Sequence, residues 1–172
     1  TSRIEDKIVA IPMKCQFRWS MVNFGLVRSL GISATAGYDR TWGKLVLSAN
    51  ANYTCQRDRD FSSPSDPEYK NTIPYSPLHS ASLIVSLGYD GWSACTSWLY
   101  TGNRFALISN NKEDMLGAWQ TVDLKLSKTF TVSRHSLQTT IECNNLTDSR
   151  HEVVKRYPMP GRNWKLTLQW RM

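Results

Sequence analysis

A chain of 172 residues has the length of one ordinary domain, and its aromatic share of 11% is ample for a core or for a membrane girdle. A net charge of +7 raises nucleic acid as a partner, but the basic residues are scattered with no run of five or more, so the charge reads as decoration of loops and a polar face, suited to anionic headgroups. No stretch approaches the roughly eighteen consecutive apolar residues of a spanning helix, and a mean hydropathy of −0.41 argues for solubility only where the polar residues do not line a barrel lumen.

In chain order, about eight strands are predicted, over residues 7–12, 20–40, 44–59, 78–90, 92–104, 119–132, 135–147 and 162–172. Successive strand side chains point to opposite faces, so strict alternation marks a segment with one apolar and one wet face. Ile32, Ala34, Ala36 and Tyr38 alternate with Ser33, Thr35, Gly37 and Asp39, and Leu45, Leu47, Ala49, Ala51 and Tyr53 with Ser48, Asn50, Asn52 and Thr54. Ala81, Leu83, Val85, Leu87 and Tyr89 follow the same rule, and Trp92, Ala94, Trp98 and Tyr100 follow it more weakly. Val122, Leu124 and Leu126 alternate with Asp123, Lys125 and Ser127, and Leu137 to Asn144 continue the pattern. The clearest run is the last, where Trp164, Leu166, Leu168 and Trp170 form an apolar, membrane-facing row opposite Lys165, Thr167, Gln169 and Arg171.

The connectors alternate in length. Thr41 to Gly43, Asp90-Gly91 and Ser133-Arg134 read as tight turns, whereas 61–77, 105–118 and 148–161 are long and polar. In an antiparallel up-and-down barrel this puts every short turn at one rim and every long loop at the other, as in outer-membrane barrels. The expected fold is therefore all-β, a transmembrane barrel segment occupying 1–172 as a single unit without a plug domain. A soluble lipocalin-like ligand-binding barrel also alternates. Aromatic residues near strand ends (Trp92, Trp98, Tyr100, Trp119, Trp164, Trp170) and the small and amide residues of the wet face favour the membrane.

Cys15, Cys55, Cys95 and Cys143 are about forty or more residues apart, without the close pairs of zinc or redox sites. Strand phase places Cys95 on the polar face and Cys55 and Cys143 on the apolar one; Cys15 with Cys55 is the one pairing to consider, since both fall near the same rim. His79, His135 and His151 are isolated, and Asp148-Ser149 with His151 lacks the spacing of a triad, so no enzyme, metal site or cofactor is expected. Recognition is expected in the long loops, through Tyr69, Tyr75, Asn110 and Lys112, with Arg104 contacting an anionic ligand or making a rim salt bridge. The chain opens at Thr1 without Met or an apolar leader, so either an export signal has been removed or the chain is a piece of something longer.

Several connectors form an ordered set: Asn23-Phe24-Gly25 leading to Gly31, Pro77-Leu78-His79, Gly102-Asn103-Arg104, Asn145-Leu146-Thr147-Asp148, and Tyr157-Pro158-Met159-Pro160-Gly161-Arg162 before the last strand. From about Asp6 onward the set resembles the C-terminal barrel of a TonB-dependent outer-membrane receptor, in a style similar to receptors of Bacteroides-like bacteria. The resemblance implies the last third of a barrel of about 22 strands closed around an N-terminal plug. It implies energised uptake of a scarce nutrient of the siderophore, haem or cobalamin class. Its partners would be the remaining strands and plug, in the same or a separate chain, the inner-membrane energising complex reached through the plug, and outer-membrane lipid, with no nucleic acid.

Within that set, Pro158, Pro160 and Gly161 stiffen and turn the chain before the membrane, and Arg162 is placed to pair with Asp148. Two departures stand out. Ile32-Ser33 replaces the aliphatic-Glu pair that commonly follows the glycine, and Met172 replaces the usual terminal Phe, with Trp170 two residues earlier. The second reading is an autonomous eight-stranded outer-membrane barrel with a structural or adhesive role.

Overall fold

The period-two pattern governs the architecture in the computed structural model, which describes residues 1–12, 19–132 and 135–171. The elements are β1 (Ser2–Pro12), β2 (Trp19–Trp42), β3 (Leu45–Asp60), β4 (His79–Tyr89), β5 (Trp92–Thr101), β6 (Arg104–Phe105), a 3₁₀ turn at Lys112–Asp114, β7 (Met115–Leu116), β8 (Trp119–Val132), β9 (His135–Asn144), β10 (Glu152–Val154), β11 (Tyr157–Pro158) and β12 (Asn163–Arg171). The eight long strands form one antiparallel sheet in the order β1-β2-β3-β4-β5-β8-β9-β12, a meander in which each strand pairs with its neighbours in the chain. β6 with β7 and β10 with β11 make two small ladders in the long loops. Among the described residues, β1 and β12 are the two ends of the sheet and do not pair with each other.

Cross-strand register carries each face unbroken from strand to strand. One row runs Leu47, Leu87, Ala94, Leu126, Ile141, Leu166. On the opposite face Ser33 lies beside Thr54 with their hydroxyls 3.1 Å apart, Thr35 donates to Asn52 at 2.9 Å, and the Ser127 and Thr140 hydroxyls meet at 3.0 Å. Glu142 sits between Lys125 and Lys165 at 3.3 and 3.4 Å on this polar face. Cys95 lies on it too, accepting from the Ser86 hydroxyl at 3.4 Å, whereas Cys143 is buried in the apolar row between Leu124 and Trp164. Cys55, Cys95 and Cys143 are free thiols; Cys15 lies outside the described residues.

The short turns gather at one end. Asp90 (φ +45°) and Gly91 (φ +77°) form a two-residue hairpin with both central residues left-handed, the twist-matched geometry for joining strands. The first tight turn is Gly43-Lys44, one residue later than the sequence pattern indicates, because Thr41 and Trp42 still pair with Val46 and Leu45. The turn expected at Ser133-Arg134 lies outside the described residues. Three other strand limits differ from expectation by three residues or more. β1 begins at Ser2, and β5 and β9 stop at Thr101 and Asn144, where the Gly102 amide bonds back to the His79 carbonyl and Asn145 turns left-handed (φ +52°).

Among the described residues the alternation breaks at one level of the sheet, in β2 and in β1 beside it. Val22 and Phe24 turn to the polar side, but so do Val27 and Ser29, so the inward phase changes from even to odd across Gly25-Leu26. Opposite the break, Asp6 of β1 has φ +52°. The irregularity lets Phe24 and Val27 both face the loops, where they build the buried cluster with Ile73.

Candidate functional site

The long loops 61–78, 102–118 and 145–162 meet at the end opposite the short turns and lock into a platform. Its foundation is Arg57-Asp58-Arg59-Asp60 at the end of β3. Alternation sends Asp58 and Asp60 inward, 4% and 6% exposed, and Arg57 and Arg59 to the other face. Asp58 accepts from Ser76 Oγ at 2.7 Å and Gln56 Nε2 at 3.1 Å, with Lys7 Nζ at 4.0 Å, and Asp60 accepts from the Ser62 amide and hydroxyl. The returning segment 70–78 then runs beside β3. Lys70 N bonds to Asp60 O at 2.7 Å, Ile73 N to Asp58 O at 3.1 Å, and Gln56 N to Leu78 O at 2.9 Å. Ile73 is thereby delivered onto Phe24 and Val27, with Ile108 of the next loop packed against them.

Asn110 clasps two loops. In a left-handed conformation (φ +53°), it accepts from Thr72 N at 2.8 Å and donates to the Thr72, Leu107 and Ile108 carbonyls, reproducing with one side chain the paired bonds of a strand neighbour. Arg104 joins the third loop. Its buried guanidinium donates to Glu152 O at 2.6 Å, Val153 O at 3.0 Å and Gly117 O at 3.5 Å. Burial lowers its pKa, partly countered by Tyr75, and the guanidinium stays charged at physiological pH. Asp114, 3% exposed, pairs with Lys155 at 2.6 Å, and the same ammonium donates to Glu113 O.

The motifs before the last strand close on each other. Asn145 donates to Ser149 O and Pro160 O and accepts from Ser149 N, while its own amide bonds to Asp123 Oδ1 at 2.8 Å. Asp148 Oδ1 accepts the Arg162 backbone amide at 2.8 Å, and a Cβ at Gly161 would stand 2.8 Å from that oxygen. Arg162 and Asp148 are therefore linked through the backbone N–H of Arg162. Tyr157 and Pro158 form β11 against β10.

Of the loop residues singled out by sequence, the structure brings Tyr75 and Arg104 together. The Tyr75 amide bonds to Phe105 O at 2.7 Å, and its hydroxyl is buried without a hydrogen bond among the described residues. Burial raises that phenol's pKa, with the Lys155 backbone and Arg104 pulling the other way. Tyr69 lies in a separate stack, edge-on to Phe61 at 5.4 Å with Lys70 Nζ 5.2 Å from its ring. Lys112 is exposed on the 3₁₀ turn. Asp58, Asp60 and Lys155 are not among the residues that the sequence singles out. The charge alternation of 57–60 is a signal that finds the first two; nothing periodic marks Lys155.

The histidines are dispersed, each against an aromatic ring: His79 bonds Tyr53 Oη at 2.8 Å, His135 lies 5.7 Å from Trp170, and His151 stacks on Trp119 at 4.3 Å. Among the described residues no group of three His, Cys, Asp or Glu side chains could hold a metal. On β12, Trp164, Leu166, Leu168 and Trp170 are 58–67% exposed.

The model of the TonB-dependent receptor-like β-barrel family matches residues 1–146. Among solved structures, the chain is similar to BauA, the ferric preacinetobactin receptor of Acinetobacter baumannii, with 14% identity, a TM-score of 0.66, and coverage of 95% of this chain and 25% of that one. It is also similar to the copper transporter OprC at 16% identity and TM-score 0.64, covering 98% of this chain and 25% of OprC. The ferric yersiniabactin uptake receptor FyuA of Yersinia pestis matches at 13% identity and TM-score 0.52, covering 98% of this chain and 31% of FyuA. The chain thus spans about a quarter to a third of these receptors' length. No curated protein is significantly similar to it in sequence.

Proposed function

This chain belongs to the TonB-dependent receptor-like β-barrel family, and we propose that it supplies the C-terminal wall and three outward loops of a receptor for energised uptake of a scarce nutrient of the siderophore, haem or cobalamin class. The family consists of transporters rather than enzymes, and its barrels lie in the outer membrane of Gram-negative bacteria. The apolar row of β12 then faces lipid, and the serine, threonine and amide rows line the lumen. The observation that carries the reading is the asymmetry of the sheet's two ends: two-residue turns at one, and at the other a platform whose loops are fixed to one another by buried side chains. A rigid platform on a rigid wall suits selective capture of a bulky solute.

Arg104, Asn110 and Tyr75 hold that platform in shape, and Lys112 and Tyr69 are the residues nearest to presenting a binding surface. The open ends at β1 and β12 favour a partial barrel over an autonomous closed one, since an unpaired edge invites completion by other strands. Those strands and a plug, in the same or a separate chain, complete the receptor, and an inner-membrane complex energises it through the plug.

The test is accumulation of labelled ferric siderophore, haem and cobalamin by cells carrying the assembled receptor. Uptake of one of them that stops on adding a protonophore, and weakens with Lys112→Glu, is the expected result. Absence of accumulation for all three, or accumulation indifferent to the protonophore, overturns the proposal.

A further inference from the structure

The apolar face carries an unexpected row of arginines at its loop end. Register places Arg3 opposite Arg28 and Arg28 opposite Arg59, three guanidinium side chains abreast across β1, β2 and β3, and Arg57 lies next along β3, opposite Leu30. Like charges directly opposed across strands are destabilising unless something neutralises them. Arg3 has Glu5 at 2.9 Å, and Arg28 lies 4.5 Å from the Phe61 ring, which offers no charge. Among the described residues the side chains of Arg57 and Arg59 have no hydrogen-bonded or ion-paired partner, while their neighbours Asp58 and Asp60 are turned to the other face and consumed by the platform.

Directly toward the membrane from these arginines, a groove of about 320 Å³ opens on the same face, lined by Leu30, Gly31, Ile32, Cys55 and Leu78. It shares Gln56, Arg57 and Leu78 with a polar cavity of about 250 Å³ that reaches Arg59, Thr72 and Arg104. Beneath the groove β2 and β3 approach closely at Gly31, where a Cβ on the polar side would meet the Cys55 carbonyl and Gln56 Cβ at 2.8 Å. The order along the strand matters. On β2 the exposed Ile32 and Leu30 carry the apolar face up to the level of Arg57, and Arg28 opposite Arg59 follows directly.

An apolar slot leading into unpaired guanidinium groups matches an amphiphile, and the guanidinium fork favours phosphate oxygens. We propose that this surface binds a phosphate-bearing lipid of the outer leaflet, with an acyl chain in the Leu30–Leu78 groove and the phosphate between Arg28, Arg57 and Arg59. The site does not depend on the cargo reading: a receptor that takes up nothing still retains the lipid.

The experiment is native mass spectrometry of the protein extracted from outer membranes in non-ionic detergent, with folded, heat-modifiable migration verified for every variant. Wild type is expected to retain one phosphate-bearing lipid, exchangeable with added phosphorylated lipid but not with diacylglycerol or with millimolar inorganic phosphate. Occupancy is expected to fall at least tenfold in R28Q/R57Q/R59Q and in C55F, which fills the groove and leaves the arginines, and to be unchanged in K44Q/K128Q at the opposite rim. The exposed R57Q alone serves if the triple variant does not assemble, with a several-fold loss expected. Unchanged occupancy in C55F and in the arginine variants, or displacement by inorganic phosphate, overturns the proposal; the latter result would mark a free-anion site.

Discussion

The wall and the platform of this chain are held by different kinds of bond. In the wall the backbone ladder supplies cohesion, and side chains only have to be apolar on one face and small or polar on the other; exchanging Thr35 and Asn52 for other polar residues leaves the ladder intact. In the platform the backbone is irregular, and single side chains do what a strand neighbour does elsewhere: Asn110 pairs with both polar groups of Thr72, and Arg104 collects carbonyls from two loops. The wall is therefore tolerant and distributed, while the platform depends on a few residues.

The sharpest way to break this contrast is Arg104→Met. It leaves the Glu152, Val153 and Gly117 carbonyls without their donor inside the platform, at a local cost of about 3 kcal/mol. Hydrogen exchange across 145–162 is expected to accelerate by about two orders of magnitude, with amides of β3 to β5 unchanged. Equal acceleration in both regions would mean that platform and wall are one cooperative unit. Arg104→Lys, which reaches fewer carbonyls, is expected to fall between the two.

Gly31→Ala tests the wall at its least tolerant point. The added Cβ stands 2.8 Å from the Cys55 carbonyl and from Gln56 Cβ, so backbone must move, at about 2 kcal/mol. Gly37→Ala, whose Cβ meets only the Asn50 side-chain oxygen at 3.3 Å, is expected to be nearly neutral. Urea midpoints read from tryptophan fluorescence separate the two, and equal midpoints would refute the close-approach account.

Asn110→Ala is smaller and confined to the platform. It removes the bonds to Thr72, Leu107 and Ile108 from a half-buried site that water partly re-solvates, for about 1.5 kcal/mol. Faster exchange of the Thr72 amide with an unmoved urea midpoint is the expected pair of results; a midpoint shift as large as that of Gly31→Ala would contradict it.

The same contrast explains what the sequence discloses. The eight long strands, both faces and the separation of short turns from long loops follow from alternation, because register in a sheet obeys a rule that holds at every residue. The phase change at Gly25-Leu26 does not follow, since it is set by the need to seat Phe24 and Val27 under Ile73, a residue some fifty positions away. The sequence singles out Arg104 and Asn110 as ligand-contact candidates, whereas the bonds their side chains make in the structure are to backbone groups of the platform, and a carbonyl leaves no trace in a sequence. The Asn145–Asp148 and Pro160–Arg162 motifs were legible as an ordered pair; that they close on each other through a backbone amide required coordinates.

The smallest effect belongs to the short-turn rim, where the ladder does nearly all the work and charges add little. Lys44 Nζ lies 3.1 Å from Asp90 Oδ1, linking two adjacent hairpin turns, and this hydrogen bond, reinforced by the ammonium charge and by Lys128, holds the Asp90 carboxyl below its ordinary value of 3.8. Because the folded-state pKa is depressed, the contribution is complete above the unfolded carboxylate value and is lost as pH falls through the lowered one. Both groups are well exposed, so solvent and salt screen the pair. Lys44→Ala is expected to return the Asp90 titration toward 3.8, measured by carboxyl NMR, while leaving thermal stability at neutral pH almost unmoved. A substantial loss of stability would show that this rim depends, like the platform, on individual side chains.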